Sequence, residues 1–287
     1  MSIWVTNHSD KTENINIICP IPLKKYQNNT LVKLIINTAG KILNEPKYNN
    51  QYICWEAKIS AGQMKEFSYH FDIHTFPTKL TIDPNLLLSD YSINHKDLKW
   101  IAPNKFIHSD DTKIKELIRE VVGKENNLLT VIIKICEFIK EHLEYNNPII
   151  GLYTDFEALH KKKVDCGGFS TLFISMCHNI GIPARLVAGY WADRPGKEMH
   201  AWAEFMLPDK TWIPVDLSIE WLRNKHRENK TAKIGYLGSD RVAMSIGCDF
   251  EILENTNNQT SINILQTPFS IPKKTISRSN TDFNLQI

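Results

Sequence analysis

Cys166 stands immediately before two glycines in V-D-C-G-G-F-S-T-L-F, and the residues behind it keep a helical period. Phe169, Leu172, Phe173, Met176, Cys177 and Ile180 recur at steps of three and four, which predicts a helix with a single apolar face. Gly181 supplies its stop and Pro183 follows. Cys177 belongs to the stripe and reads as core. Cys166 lies off it, at the helix start, where the partial positive charge of the N-terminus favours a thiolate. Gly167 and Gly168 leave room there for another chain to approach.

Two strands follow that a thiol could use. Ala184 to Trp191 reads as a buried strand, and His200 to Met206 as the next, with His200, Trp202, Glu204 and Met206 on one face. Leu207 to Lys210 is turn chemistry, and Thr211 to Asp216 returns as a third strand. A free thiol has a pKa near 8.5 and is mostly protonated at neutral pH, so a nucleophilic cysteine needs a base. An imidazole can be that base, and a carboxylate fixes its tautomer and stabilises the imidazolium. Each of the three residues alone is more often structural; together each supplies what the others lack. Parity adds a condition. His200 and Asp216 share a face only if an odd-numbered connection, or a bulge, joins their strands.

A metal site is the competing reading of Cys166, Cys177, His178 and His200. No pair has zinc-finger spacing, and neighbours such as Cys177 and His178 point about 100° apart on a helix. No metal or other cofactor is expected, and no calcium loop is present.

The rest of the chain divides by period. Ile15 to Pro22, Thr30 to Asn37, Tyr52 to Ile59 and Phe67 to His74 read as strands, so residues 1–105 are expected to form a β-sandwich-like domain. Residues 106–275 are expected to form the catalytic domain. Its first helix is capped by Asp110 or Asp111, its second runs from about Leu128 to Tyr145, and a third starts at a Thr154–Glu157 capping box. Residues 276–287 are expected to be a disordered tail. A net charge of +2 with interspersed signs argues for neither nucleic acid nor membrane as partner. Six scattered cysteines and no visible secretory signal predict free thiols and a cytoplasmic protein.

The segment resembles the transglutaminase-like superfamily. The matching stretches are V-D-C-G-G-F-S-T-L-F, G-I-P-A-R-L-V-A-G-Y, H-A-W-A-E and W-I-P-V-D, with weaker likeness in P-I-P-L-K-K-Y-Q and L-G-S-D-R-V-A-M-S-I-G-C-D-F. The resemblance implies an α+β, papain-like core, a Cys-bearing helix packed on an antiparallel sheet, with Cys166 as nucleophile, His200 as base and Asp216 as its orienter. The Cys166 backbone N–H and the Tyr145 side chain are candidate oxyanion donors, and Trp191 and Trp202, with Trp212, candidate walls of an acyl cleft. The implied chemistry is acyl transfer from an amide of a protein or peptide through a thioester. A cysteine peptidase or amidase uses water as acceptor and a transglutaminase an amine; a non-catalytic interaction module is the third alternative.

Overall fold

The structure, a computed structural model, describes residues 1–194, 198–253, 259–271 and 276–278. Its N-terminal strands Glu13–Pro20, Asn29–Ile36, Gln51–Ile59 and Met64–Thr75 match the expected runs to within a few residues. They sort into two antiparallel sheets. One has the order Ile276–Arg278, Ser2–Thr6, Met64–Thr75, Asn29–Ile36, Lys25–Tyr26. The other has the order Phe269–Ile271, Glu13–Pro20, Gln51–Ile59, Lys41–Asn44. Ile3, Val5, Ile15, Ile17, Trp55, Phe67 and Tyr69, drawn from both sheets, form one core. The run Tyr52-Ile53-Cys54-Trp55 is apolar without alternation because its sheet is covered on both faces. Ile53 and Trp55 enter the sandwich core, while Tyr52 and Cys54 pack with Phe250, Ile252 and Leu265.

The C-terminal strands depart from the expected division of the chain. Phe269–Ile271 pairs with Glu13–Pro20, and Ile276–Arg278 pairs with Ser2–Thr6. Residues placed in the catalytic domain, and the first of those expected to be a disordered tail, therefore complete the sandwich. Each covers a strand that would otherwise present bare N–H and C=O groups at a sheet edge. Residues 279–287 of the expected tail lie outside the described residues.

Five helices are described. Asp111 caps α1 (Thr112–Val122) through Lys113 N–H, and α2 runs over Leu128–His142. α2 stops short of its expected end, because the chain turns extended at Leu143 and Glu144–Tyr145 pairs with Lys163–Val164. The expected capping box of Thr154 and Glu157 opens α3 (Asp155–Lys161). α4 (Cys166–Asn179) begins at Cys166, and α5 (Leu217–Asn224) begins after Asp216. α4 is not amphipathic: every residue from Gly167 to His178 is buried. The other four helices and the sheet that carries His200 surround it. Its hydroxyls find partners inside, Ser170 on the Cys166 carbonyl, Thr171 on that of Gly168 and Ser175 on the Asp155 carboxylate.

The sheet against α4 has the order Trp212–Val215, Met199–Met206, Ala184–Trp191, Arg241–Ile246, all antiparallel. The fold is α+β, with a cysteine-bearing helix on an antiparallel sheet. Met206 pairs with Trp212 and Ala203 with Val215, so residues 207–211 form an odd-numbered connection, the parity the two site strands require.

The sandwich and this sheet are locked together by the turn Tyr26–Asn29. Tyr26 donates to Glu204 and accepts from Trp202 Nε1 at 3.1 Å. Gln27 Nε2 donates to Glu204 at 2.7 Å and to the Trp212 carbonyl at 2.9 Å. Asn28 Nδ2 donates to the carbonyls of Gly238 and Arg241 at 2.7 and 2.9 Å. Arg185, stacked 3.9 Å over the Trp212 ring, gives the fully buried Glu204 its counter-charge at 2.7 Å.

Within the α4 core, His178 donates from Nε2 to the Ala184 carbonyl at 2.9 Å, and burial holds its imidazole down at about 4. An unfolded histidine titrates near 6.5, so on acidification the unfolded chain takes this proton first. The stability from His178 is whole above about pH 6.5 and is lost as the pH falls toward 4, by about 3 kcal/mol across that window. Urea unfolding followed between about pH 7 and pH 4.5 should show this loss, and His178→Gln should flatten the slope by one proton.

Candidate active site

Cys166 is the first residue of α4, and Asp165 is its cap. The Asp165 carboxylate accepts from Gly167 N–H at 3.0 Å, Gly168 N–H at 3.3 Å and Ile149 N–H at 3.1 Å. The two glycines serve a purpose other than the expected one. A Cβ on Gly168 would stand 2.6 Å from Val164, and one on Gly167 would stand 2.8 Å from Leu152. The room they leave is filled by the chain itself, which brings Cys166 close against its own support.

The sulfur lies under the Met199–Met206 strand, where the Ala201 N–H donates to it. Cys166 is half-buried, whereas the other five cysteines are buried; all six are free. Burial pushes the Cys166 thiol well up, and the charge of Asp165 adds to this, against the Ala201 and Gly167 N–H groups. The expected depression by the helix N-terminus does not prevail. Asp165 already occupies that positive pole, so the sulfur rests as a thiol and needs a base to ionise.

His200 is the neighbour of Ala201. Its Nε2 is 2.7 Å from Asp216 Oδ2, and both side chains are buried. Asp216 directly follows Val215, which pairs with Ala203, so it lies diagonal to His200 on the shared face. Burial opposes ionisation of Asp216, but His200 and Arg241 outweigh it and hold the carboxyl well below the usual range. Its other oxygen caps α5, accepting from Ser218 Oγ at 3.0 Å and Ile219 N–H at 3.3 Å.

Trp191 and Trp202, expected as cleft walls, are buried and frame His200 instead. The Trp191 ring stacks on the imidazole at 4.3 Å and Trp202 lies at 5.9 Å, both nearly parallel to it. Trp212 belongs to the Arg185 stack. Tyr145 is half-buried near Phe169, and burial, then the charges of Cys166, Asp165 and Asp216, push its phenol far up. The phenol keeps its proton at neutral pH and lies within electrostatic reach of Cys166.

Three neighbours were not anticipated. Arg241 is fully buried and donates to Asp216 Oδ2 from Nη2 at 2.8 Å and from Nε at 3.2 Å. Gln266 Nε2 donates to the His200 carbonyl at 2.9 Å. Asp165 had a readable signal, an aspartate just before a helix start. Arg241 and Gln266 had none, being single polar residues far along the chain. A groove of about 700 Å³ lined by Glu220, Arg223, His226, Glu228 and Lys233 contains none of Cys166, His200 and Asp216. Among the described residues no cluster of three or more His, Cys, Asp or Glu could hold a metal ion, and no helix is long and apolar enough to cross a membrane.

Residues 115–217 match the family model of the transglutaminase-like superfamily. Over these residues the chain is similar to a transglutaminase-like core. A "putative cysteine protease" from Cytophaga hutchinsonii shares the fold, with a TM-score of 0.61 at 16% identity over 100% of this chain and 93% of its own. The periplasmic domain of TgpA from Pseudomonas aeruginosa aligns with a TM-score of 0.39 at 12% identity, over 78% of this chain and 75% of its own. No curated protein matches the chain. The matched residues include α4 and the sheet strands that carry His200 and precede Asp216, and the likeness to the Cytophaga protein is one of fold.

The thiol's need for a base has a measurable consequence. Iodoacetamide at about pH 7 should label Cys166 before any other cysteine, and His200→Ala should slow that labelling by about 10-fold or more. Mass spectrometry of the labelled peptide measures both.

Proposed function

We propose that this protein is a thiol-dependent amide hydrolase, acting on a protein or peptide through Cys166, His200 and Asp216. The observation that carries the reading is the buried His200–Asp216 hydrogen bond of 2.7 Å, on the strand whose next N–H donates to the Cys166 sulfur. A structural histidine would be satisfied by one backbone acceptor. Here a carboxylate and two tryptophans converge on it, next to the residue whose N–H reaches the Cys166 sulfur.

The chemistry runs in two halves. His200 takes the thiol proton while the Cys166 sulfur bonds to the amide carbonyl carbon. The tetrahedral intermediate collapses with cleavage of the C–N bond, and the imidazolium returns the proton to the leaving amine. Water then attacks the thioester with His200 again as base, releasing a carboxylic acid and the thiol. Asp216 holds the imidazole in one tautomer and stabilises its charged form. The Cys166 N–H and the Tyr145 hydroxyl are the donors we assign to the oxyanion. Water is the acceptor we favour, because it needs no binding site of its own. The free thiols fit a reducing compartment, and we place the protein in the cytoplasm.

A peptide library incubated with the native protein, with and without an added primary amine, should yield new carboxylates in both arms; amine adducts in place of acids would make it a transglutaminase. Cys166→Ala should reduce turnover to background while keeping the native melting temperature within a few degrees. His200→Ala should lose about 10³-fold or more in kcat, and Asp216→Asn less, on the order of 10²-fold. Turnover by Cys166→Ala at the native rate defeats the reading.

A further inference from the structure

Arg241 is a full positive charge with no exposure to solvent, placed on the one carboxylate that orients the base. Resting on the proposed function, we infer that Arg241 is a positioning residue for His200, fixing Asp216 in place and limiting how strongly the carboxylate favours the imidazolium.

The geometry separates the two oxygens of Asp216. Oδ1 is held by Ser218 and Ile219 at the start of α5, and Oδ2 receives both the His200 ring and the Arg241 fork. The carboxylate therefore cannot rotate away from the imidazole without leaving the guanidinium unpaired in the interior. Arg241 is itself fixed by further contacts. Its Nη1 donates to Asp240 at 2.6 Å, its plane lies 4.5 Å over Trp191, and Asn28 of the sandwich holds its backbone carbonyl. Trp191 is thus stacked by the base on one contact and by Arg241 on another.

The charge matters as well as the grip. Both partners lie within 2.8 Å of one oxygen, so guanidinium and imidazole are less than about 6 Å apart. A bare aspartate would make the imidazolium very stable, and a permanently protonated histidine cannot take the thiol proton. Arg241 opposes that. Several other charged groups act on the same region. Asp165 and Tyr145 lie beside Cys166, and Glu198 acts on Tyr145. Arg194 and Lys230 lie over Trp191, and Lys230 bridges Asp193 and Asp240. None of these touches Asp216, and Arg241 does.

The test is the pH profile of Cys166 alkylation by iodoacetamide, which needs no substrate. Arg241→Gln removes a unit charge within about 6 Å, so every proton the Cys166–His200 pair holds is held more tightly. Its acid limb should move up by about one to two pH units. Arg241→Lys keeps the charge and loses the fork. Its limb should stay within about 0.3 units while its plateau rate falls by about fivefold. Added to Asp216→Asn, Arg241→Lys should cause no further fall, because it acts through the carboxylate. Should Arg241→Gln fail to melt cooperatively, the lysine variant and its double mutant decide the matter. A native limb in Arg241→Gln, or a native plateau in Arg241→Lys, overturns the inference. Failure of the site itself looks different, since His200→Ala would then label at the native rate.

Discussion

The Asp216 carboxylate collects His200, Arg241, Ser218 and the Ile219 N–H in the protein interior. Burying a carboxylate is costly unless its lone pairs are satisfied and its charge matched, and here both conditions are met. Taking one partner from such a buried pair costs about 3–5 kcal/mol, so these residues stand or fall together. Three separate elements depend on this one group: the start of α5, the end of the Trp212–Val215 strand and the head of the Arg241–Ile246 strand. Its position is equally what the strand parity demands. With a five-residue connection the aspartate falls on the face of His200; one residue more or fewer would send it to the other side.

The sandwich takes part in this arrangement. Tyr26 and Gln27 hold Glu204 and Trp202, and Asn28 holds the backbone of Arg241. Glu204 is fully buried, and it is tolerable there because Arg185 and two neutral donors surround it. Trp202 in turn lies alongside the His200 ring. A sandwich tied in by so many buried polar contacts cannot move as an independent domain without unpairing groups on the catalytic sheet. The C-terminal strands bind it further, since the chain returns to both sandwich sheets after finishing the core.

What was legible in the sequence was local. Asp111, the Thr154–Glu157 box and the start of α4 at Cys166 are signals written within a few residues of the structure they cause. The His200 and Asp216 faces follow from period-two alternation. What was hidden came from partners distant in the chain. The apolar run of Tyr52 to Trp55 is covered on its second face by residues some two hundred positions later, and Arg241 reaches Asp216 across 25 residues of loop and helix. Composition cannot distinguish a buried arginine from a solvated one at a strand end. Nor does an apolar stripe reveal that the polar side of α4 is also enclosed, because Ser170, Thr171 and Ser175 pass for surface residues until their acceptors are known.

The clearest disagreement between pattern and structure concerns the thiol, and it shows where activation resides. A cysteine at a helix N-terminus is ordinarily expected to ionise on the strength of the dipole. In this chain the cap is an aspartate whose carboxylate accepts from the Gly167 and Gly168 N–H groups at the helix start. Its charge, with burial, pushes the thiol up instead. Helix and cap hold the sulfur in place and keep it protonated. On the proposed reading the group that takes its proton is on the sheet, the His200 imidazole with the Asp216 carboxylate behind it, and the Ala201 N–H favours the thiolate that results. The nucleophile is then made by proton transfer at the moment of attack, because burial, with the Asp165 charge beside the sulfur, disfavours a resting thiolate.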